Sequence, residues 1–350
     1  TRTQCYAGNT LDAQLTDIEA MQQAKRKMLN IFYSIKPIGI GKGGINPLVA
    51  VKLLKTIVFP AAMFGCELWT TSNVELHALN VTIRKIAKII QGFEQNVSSE
   101  VVLSTLGLLS IESYIDRAKV LFFDRLCRAT HVFTKQLFLY RLSSFLVQKN
   151  EICNGLIKDV MSMEYDYVQE SIQNFLRSGQ LLTKVKFKMM CTNQIKLNEE
   201  TKWRARVNAD DSLSLFSNVQ LSIEPSVLWT LGQKATEQLW ELAHILYLTT
   251  PARFRLYQCK RCKDFTGSIV THFMKCGELI NEKNDFIENY IFNSLSVENC
   301  VKLLDMEENI VLETILGSRV DFQLDDTQFT EFILSCARGL AHIDIFFKSC

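Results

Sequence analysis

Proline and glycine are scarce in this chain, at 5 and 15 of 350 residues. So few backbone breakers exclude a Pro/Gly-rich disordered or fibrous organisation and leave room for long helices. An excess of one charge is missing too. The 39 Lys and Arg residues face 37 Asp and Glu, a net charge of +2. No global field therefore points to nucleic acid or to a membrane, and any basic surface must be local. There is also no apolar run of the ~20 residues that a membrane helix needs. The most apolar stretch, Thr56 to Cys66, is interrupted by Pro60 and reads as a buried helix. The start, TRTQCYAGNT, has no apolar run, so no signal peptide is expected. Alternating strand patterns are scarce, and no internal repeat or low-complexity segment is visible.

What the chain does have is a core-forming composition. Hydrophobic residues make up 47% and charged residues only 22%, which argues for packed domains rather than disorder. The 11 cysteines are odd in number and scattered apart from one cluster. That pattern disfavours a disulfide scaffold and points to a reducing, intracellular compartment. The chain does not begin with methionine and is read as a piece of a longer protein.

Periodicity then places the helices. Asp17 to Ile35 carries apolar residues near a helical period and breaks at GIGKGGINP. Asn46 is a candidate cap and Pro47 suits the first position of the next helix, which runs to about Pro60. Ser72 or Asn73 opens another, stopped at Gly92. Ser98 and Ser99 open a short one ending at Gly107, and Ser110 caps IESYIDRAKVLFFDRLCRAT. After Pro225 a helix is expected around LGQKATEQLWELAHILYL, and helical patterns resume from Ile280. The expected fold class is mainly α.

The strongest chemical signal is YQCKRCKDFTGSIVTHFMKC, with Cys259, Cys262, His272 and Cys276 spaced Cys-x2-Cys-x9-His-x3-Cys. A Cys-x2-Cys turn puts two thiolates on one side of a tight knuckle. His272 and Cys276, four apart, share one face of a helix. Four soft N and S donors suit tetrahedral Zn²⁺, and a filled shell makes the metal structural rather than catalytic. The competing account, four unrelated residues in a Cys-rich chain, fits poorly with the charged loop of Lys260, Arg261, Lys263 and Asp264.

Basic residues gather near that motif. Arg253, Arg255, Lys260 and Arg261 precede the first acid, Asp264. Upstream, Lys184, Lys186 and Lys188 alternate with apolar residues, and Lys202, Trp203, Arg204 and Arg206 form KWRAR. Cations beside exposed rings fit a strand of nucleic acid, with phosphates neutralised and bases stacked. The plainer account of each run is a solvated helix or hairpin face.

Other motifs carry less. Gly39, Gly41 and Gly44 satisfy the letter of G-x-G-x-x-G, but no strand precedes them, so a flexible interhelical loop is expected. Lys42 is followed by Gly43, which excludes a P-loop. Asp321, Asp325 and Asp326 lack converging partners and read as a solvated turn, with Asp325 or Asp326 as a cap before TQFTEFIL. His77, His131, His244 and His342 read as structural. No Ser-His-Asp or Cys-His arrangement emerges, and no small-molecule ligand is expected.

Two segments resemble a known family. NPLVAVKLLKTIVFPAAMFGCELWT, then LHALNVTIRKIAKIIQG, then LGLLSIESYIDRAKVLFFDRLCR resemble the region after the polymerase palm in non-LTR retrotransposon reverse transcriptases. Phe64-Gly65-Cys66-Glu67-Leu68-Trp69 is similar to that family's "YG-x-E-x-W" step, and Leu106-Gly107-Leu108-Leu109-Ser110-Ile111 to its "LG-x-L-x-I/L" turn. The Cys/His segment resembles the family's C-terminal motif, with one residue fewer between His272 and Cys276 than is usual there. The family's polymerase carboxylates lie upstream of this region, and Asp325-Asp326 stands in the wrong order to replace them.

The resemblance implies a palm remnant and thumb-like helical bundle over 1–130, a helical connector over 131–207, and a zinc-bearing helical domain over 208–350. It implies binding of RNA and DNA, as template–primer or element RNA, without polymerisation by this chain. Arg84, Lys85 and Lys88 on one helix join the basic runs as candidate contacts. The implied setting is a ribonucleoprotein of cytoplasm and nucleus. A zinc-stapled helical scaffold for protein partners is the alternative, favoured by the near-neutral charge.

Overall fold

In the computed structural model the described residues are 3–6, 9–12, 17–70, 73–95, 97–148, 155–231, 239–240, 243–244, 257–318, 324–341 and 343–349. The fold is mainly α, as expected. No described helix is long and apolar enough to cross a membrane. Two compact units form, each from three separated stretches. The first takes Thr1–Ser34, Leu53–Ile83 and Leu109–Lys202, the second Ile35–Lys52, Arg84–Leu108 and Trp203–Cys350.

Helix boundaries follow the capping chemistry read from the sequence. The helix Pro47–Leu53 starts where Asn46 Oδ1 accepts from the Leu48 amide at 2.8 Å. It continues through a π-turn at Leu54–Val58 into Phe59–Ala62, and Pro60, which has no N–H to give, stands just past that π-turn, where the regular ladder is already interrupted. Ser98 caps Ser99–Ser104, and Ser110 caps Ile111–Cys127. Asn73–Ile90 ends before Gly92, whose φ of 61° is the left-handed conformation that favours glycine. Asp325 caps Asp326–Leu340 in a full capping box with Gln328, so Asp325 and Asp326 serve a helix start. Asp321 lies outside the described residues, as does most of the expected helix after Pro225.

The loop after the first helix, Ile18–Ile35, is not a slack connector. Ile45 donates its amide to Gly39 O at 2.8 Å, and Gly44 donates to Gly41 O at 3.0 Å. A Cβ on Gly44 would fall 1.9 Å from Gly39 O. The glycines serve a tight backbone turn, with no strand ahead of it.

In the first unit, the helices Ile111–Cys127, Val132–Gln148, Leu156–Ser162 and Asp166–Ser178 pack with the first half of Lys184–Asn208. Val120, Phe123, Phe138, Leu142, Val160, Val168 and Phe187 form their shared core. Two ion pairs are built into it. Lys119, 3% exposed, is paired with Asp159. Arg128 clamps Asp124 through Nε and Nη2, both at 2.8 Å, and Nη2 also donates to Leu182 O at 2.6 Å. The helix Val132–Gln148 buries Phe138 and Leu142 but leaves Phe133, Leu137, Tyr140 and Val147 exposed.

The second unit is organised around Gln91, which is fully buried. Its Oε1 accepts from the Thr105 hydroxyl at 2.8 Å and the Trp229 indole N–H at 3.1 Å, and its Nε2 donates to Val102 O at 2.8 Å. The buried His244 places Nε2 3.3 Å from the Gln91 carbonyl oxygen, which agrees with a structural role. The same unit carries a three-stranded antiparallel sheet, with Tyr257–Cys259 in the middle between Phe265–Thr266 and Phe347–Ser349. Helix Ile269–Lys275 follows that sheet directly.

Candidate metal centre

Cys259 ends the central strand, and its amide donates to Asp264 O at 2.9 Å across the hairpin. The chain then turns sharply. Lys263 donates its amide to Cys259 O at 3.1 Å and adopts φ 66°, the one described non-glycine residue with positive φ. That strain belongs to a residue held by its surroundings. The turn swings Cys262 back over Cys259, and the Asp264 amide points at Cys262 Sγ from 3.4 Å. Gln258 Nε2 donates to Lys263 O at 3.1 Å and ties the knuckle to its strand.

The other two ligands come from the helix that follows. Ser268 caps it by accepting from the Thr271 amide. Cys276 stands at its C-cap and donates its amide to His272 O at 2.8 Å. The i, i+4 relation therefore puts His272 and Cys276 on one face, one helical turn apart. His272 Nε2 lies 3.3 Å from Cys262 Sγ, and its ring meets Phe347 edge-on with centroids 5.7 Å apart.

The four donor atoms of Cys259, Cys262, His272 and Cys276 lie within 4.8 Å of one another and could hold a metal ion. Cys259 is fully buried and Cys276 nearly so, with Cys262 and His272 half-buried. The protonation chemistry fits a cation. Burial alone opposes a charge on Cys259. The amides of Cys262 and Arg261, with the Cys262 and Cys276 thiols donating to it, nonetheless hold Cys259 below the ordinary thiol range. Cys262 is pushed up to about 12, first by burial and then by its sulfur neighbours. Two thiolates this close repel one another unless a positive charge stands between them.

The expected nucleic-acid contacts fare unevenly. Lys184, Lys186, Lys188, Lys202, Arg204 and Arg206 are exposed on the helix Lys184–Asn208. Within it, Arg204 donates to Leu221 O and Arg206 pairs with Glu100 at 3.1 Å. Two expectations are corrected. Trp203 is only 3% exposed, and its indole N–H donates to Glu100 O at 3.0 Å, so it is no platform for a base. Lys88 is buried, with its ammonium on Gln95 O; burial and then the neighbouring Arg84 lower its pKa. Both stand on the inward side of their helices rather than on a solvated face. On the same helix, Arg84 is half-buried and Lys85 exposed. Arg253 and Arg255 lie outside the described residues.

On the knuckle, Lys260 and Arg261 are exposed, as is Lys263. Lys260 Nζ donates to Ile345 O, and Arg261 pairs with Glu282 at 3.0 Å. Sequence reasoning passed over Phe265, which is 59% exposed beside these cations. Its position directly after the charged run Lys260-Arg261-Cys262-Lys263-Asp264 is the signal the sequence offers. No protein-family model matches this chain, and no curated protein or solved structure matches it either.

Proposed function

We propose that this chain is a nucleic-acid-binding C-terminal part of a non-LTR retrotransposon reverse transcriptase, built on a structural zinc ion and carrying none of the polymerase carboxylates. The observation that carries this reading is the convergence of Cys259, Cys262, His272 and Cys276 beneath a turn whose exposed residues are Lys260, Arg261 and Lys263. Zinc suits the donors. Zn–S and Zn–N bonds of ~2.3 and ~2.0 Å in a tetrahedron would place sulfur and nitrogen about 3.5 Å apart, close to the 3.3 Å between Cys262 Sγ and His272 Nε2. With three thiolates and an imidazole all bound, no coordination position is left for water. The metal then holds the loop in shape and does no chemistry. RNA and DNA are the partners this reading implies, met through phosphates by exposed Lys and Arg side chains.

The test is a titration of the zinc-loaded chain with labelled RNA and DNA duplexes and single strands at rising salt. Each phosphate contact contributes close to one unit of slope in log affinity against log salt, so affinity should fall steeply. Chelating the zinc should weaken binding further. A flat salt response would sink the reading.

A second reading, a zinc-stapled scaffold for protein partners, is favoured by one feature. Phe133, Leu137, Tyr140 and Val147 form an exposed apolar stripe on the helix Val132–Gln148. Tight binding of protein with no salt-dependent nucleic-acid affinity would select it.

A further inference from the structure

The outer face of the knuckle sheet has a composition of its own. Tyr257 and Cys259 alternate inward, at 8% and 0% exposure. Gln258 lies between them, so it faces outward. The register pairs Gln258 with Phe265. Directly opposed residues share a face, so the Phe265 ring stands on the outward side, 59% exposed. Its backbone is fixed by the hairpin, by the Gln258–Lys263 hydrogen bond and by the ligand residues at either end of the turn.

The cations of the adjoining turn are oriented as well. The Lys260 ammonium is tethered to Ile345 O, and Lys263 Nζ donates to Lys260 O at 2.6 Å. A lysine has three donors and an arginine five, so the single bond made by each leaves N–H groups for a phosphate. Net charge at this face is modest, because Asp264 and Glu282 offset part of it. Charge attracts the phosphates of duplex and single strand alike, so the ring is what can tell the two apart. A base can stack on an aromatic face only when it is unpaired and splayed out.

We infer that Phe265 is a stacking platform for an unpaired base of single-stranded nucleic acid, with Lys260, Arg261 and Lys263 meeting the flanking phosphates. This rests on the nucleic-acid reading above and names its ligand class: single strand in preference to duplex.

The probes are labelled oligoadenylate RNA, its DNA counterpart and a blunt duplex, titrated against the zinc-loaded full chain. Phe265→Leu keeps apolar bulk and removes the π-face. It should weaken single-strand binding by about 5- to 100-fold, leave duplex binding within about 2-fold, and leave zinc content unchanged. Phe265→Trp should restore affinity, with its emission quenched by the oligoadenylate. The RNA and DNA arms show which strand chemistry is preferred. If the wild type binds neither strand nor duplex, the parent reading falls and this one with it. If the wild type binds with a steep salt slope but Phe265→Leu matches it, only the stacking assignment is overturned. Should Phe265→Leu lose zinc, Phe265→Trp decides: unquenched emission with zinc retained overturns the assignment.

Discussion

The indole N–H of Trp229 donates to the side-chain oxygen of Gln91 at 3.1 Å, across 138 positions of sequence. The same oxygen accepts from the Thr105 hydroxyl, and the Gln91 amide nitrogen reaches Val102 O. Gln91 is 0% exposed, so no water can replace these bonds. Each stranded buried polar group costs ~1–3 kcal/mol. Gln91→Leu fits the volume but strands the Trp229 N–H and Val102 O. Its expected cost to the second unit is about 2–4 kcal/mol, read as a lower urea midpoint. A change under ~0.5 kcal/mol would show that the hub is ornamental.

Arg128 and Asp124 form the first unit's counterpart. The carboxylate, 4% exposed, is gripped by two guanidinium nitrogens. Hydrogen bonding to that carboxylate, opposed by some burial, raises the Arg128 pKa further. Removing one member of such a pair leaves a charge without its counterpart. Asp124→Asn should cost about 2–4 kcal/mol, and Asp124→Leu with Arg128→Met should recover much of it. Double-mutant additivity in thermal melts would contradict the coupling.

Asp116 gives a pH test. Burial raises its pKa from 3.8, against the lowering effect of the Tyr165 hydroxyl, which donates to it at 2.8 Å. The folded chain then holds this proton more tightly than the unfolded one. Stability from this group is present below the unfolded value of 3.8 and is lost as pH rises toward the higher folded value. Asp116→Asn can still accept from Tyr165 without a charge. The mutant should gain on the wild type between about pH 4 and about pH 7, measured as the difference in urea midpoints. A difference independent of pH would refute it.

Gly339 shows two effects in competition. Alanine in a helix interior is ordinarily better than glycine by ~1 kcal/mol. Here a Cβ would lie 2.5 Å from Phe286 Cδ2 and 2.8 Å from the Tyr290 ring. Overpacking of this kind costs ~1–3 kcal/mol, so Gly339→Ala should destabilise on balance. A raised melting temperature would show that the rings move aside freely.

Cys262→Ser should abolish stoichiometric zinc and loosen the sheet and the helix Ile269–Lys275, with Cys300→Ser as a control that keeps the metal. Metal analysis and proteolysis of the second unit read both. Retained zinc in Cys262→Ser would remove that residue from the ligand set.

Much of this was legible in the chain itself. The sequence marks Asn46 as a cap, Ser98 or Ser99 and Ser110 as helix openers and Asp325 or Asp326 as a cap; Asn46, Ser98, Ser110 and Asp325 act as caps, because capping is settled within three or four residues. The Cys-x2-Cys and His-x3-Cys spacings were legible for the same reason, one being a turn and the other a helical turn. Trp203 was misread. Its neighbours Lys202, Arg204 and Arg206 make it look exposed, and only the packing of its helix against Glu100 and Phe216 shows which way the ring faces.

The sequence by itself determined the helical class, the helix ends and the composition of the donor set, all consequences of contacts within a turn or two. The tertiary structure alone decided that the two halves of the donor set meet, that Gln91 finds Trp229, and that Phe265 is left in solvent. Those outcomes depend on closing loops between distant segments, where the competing pairings differ in shape and burial rather than in local propensity.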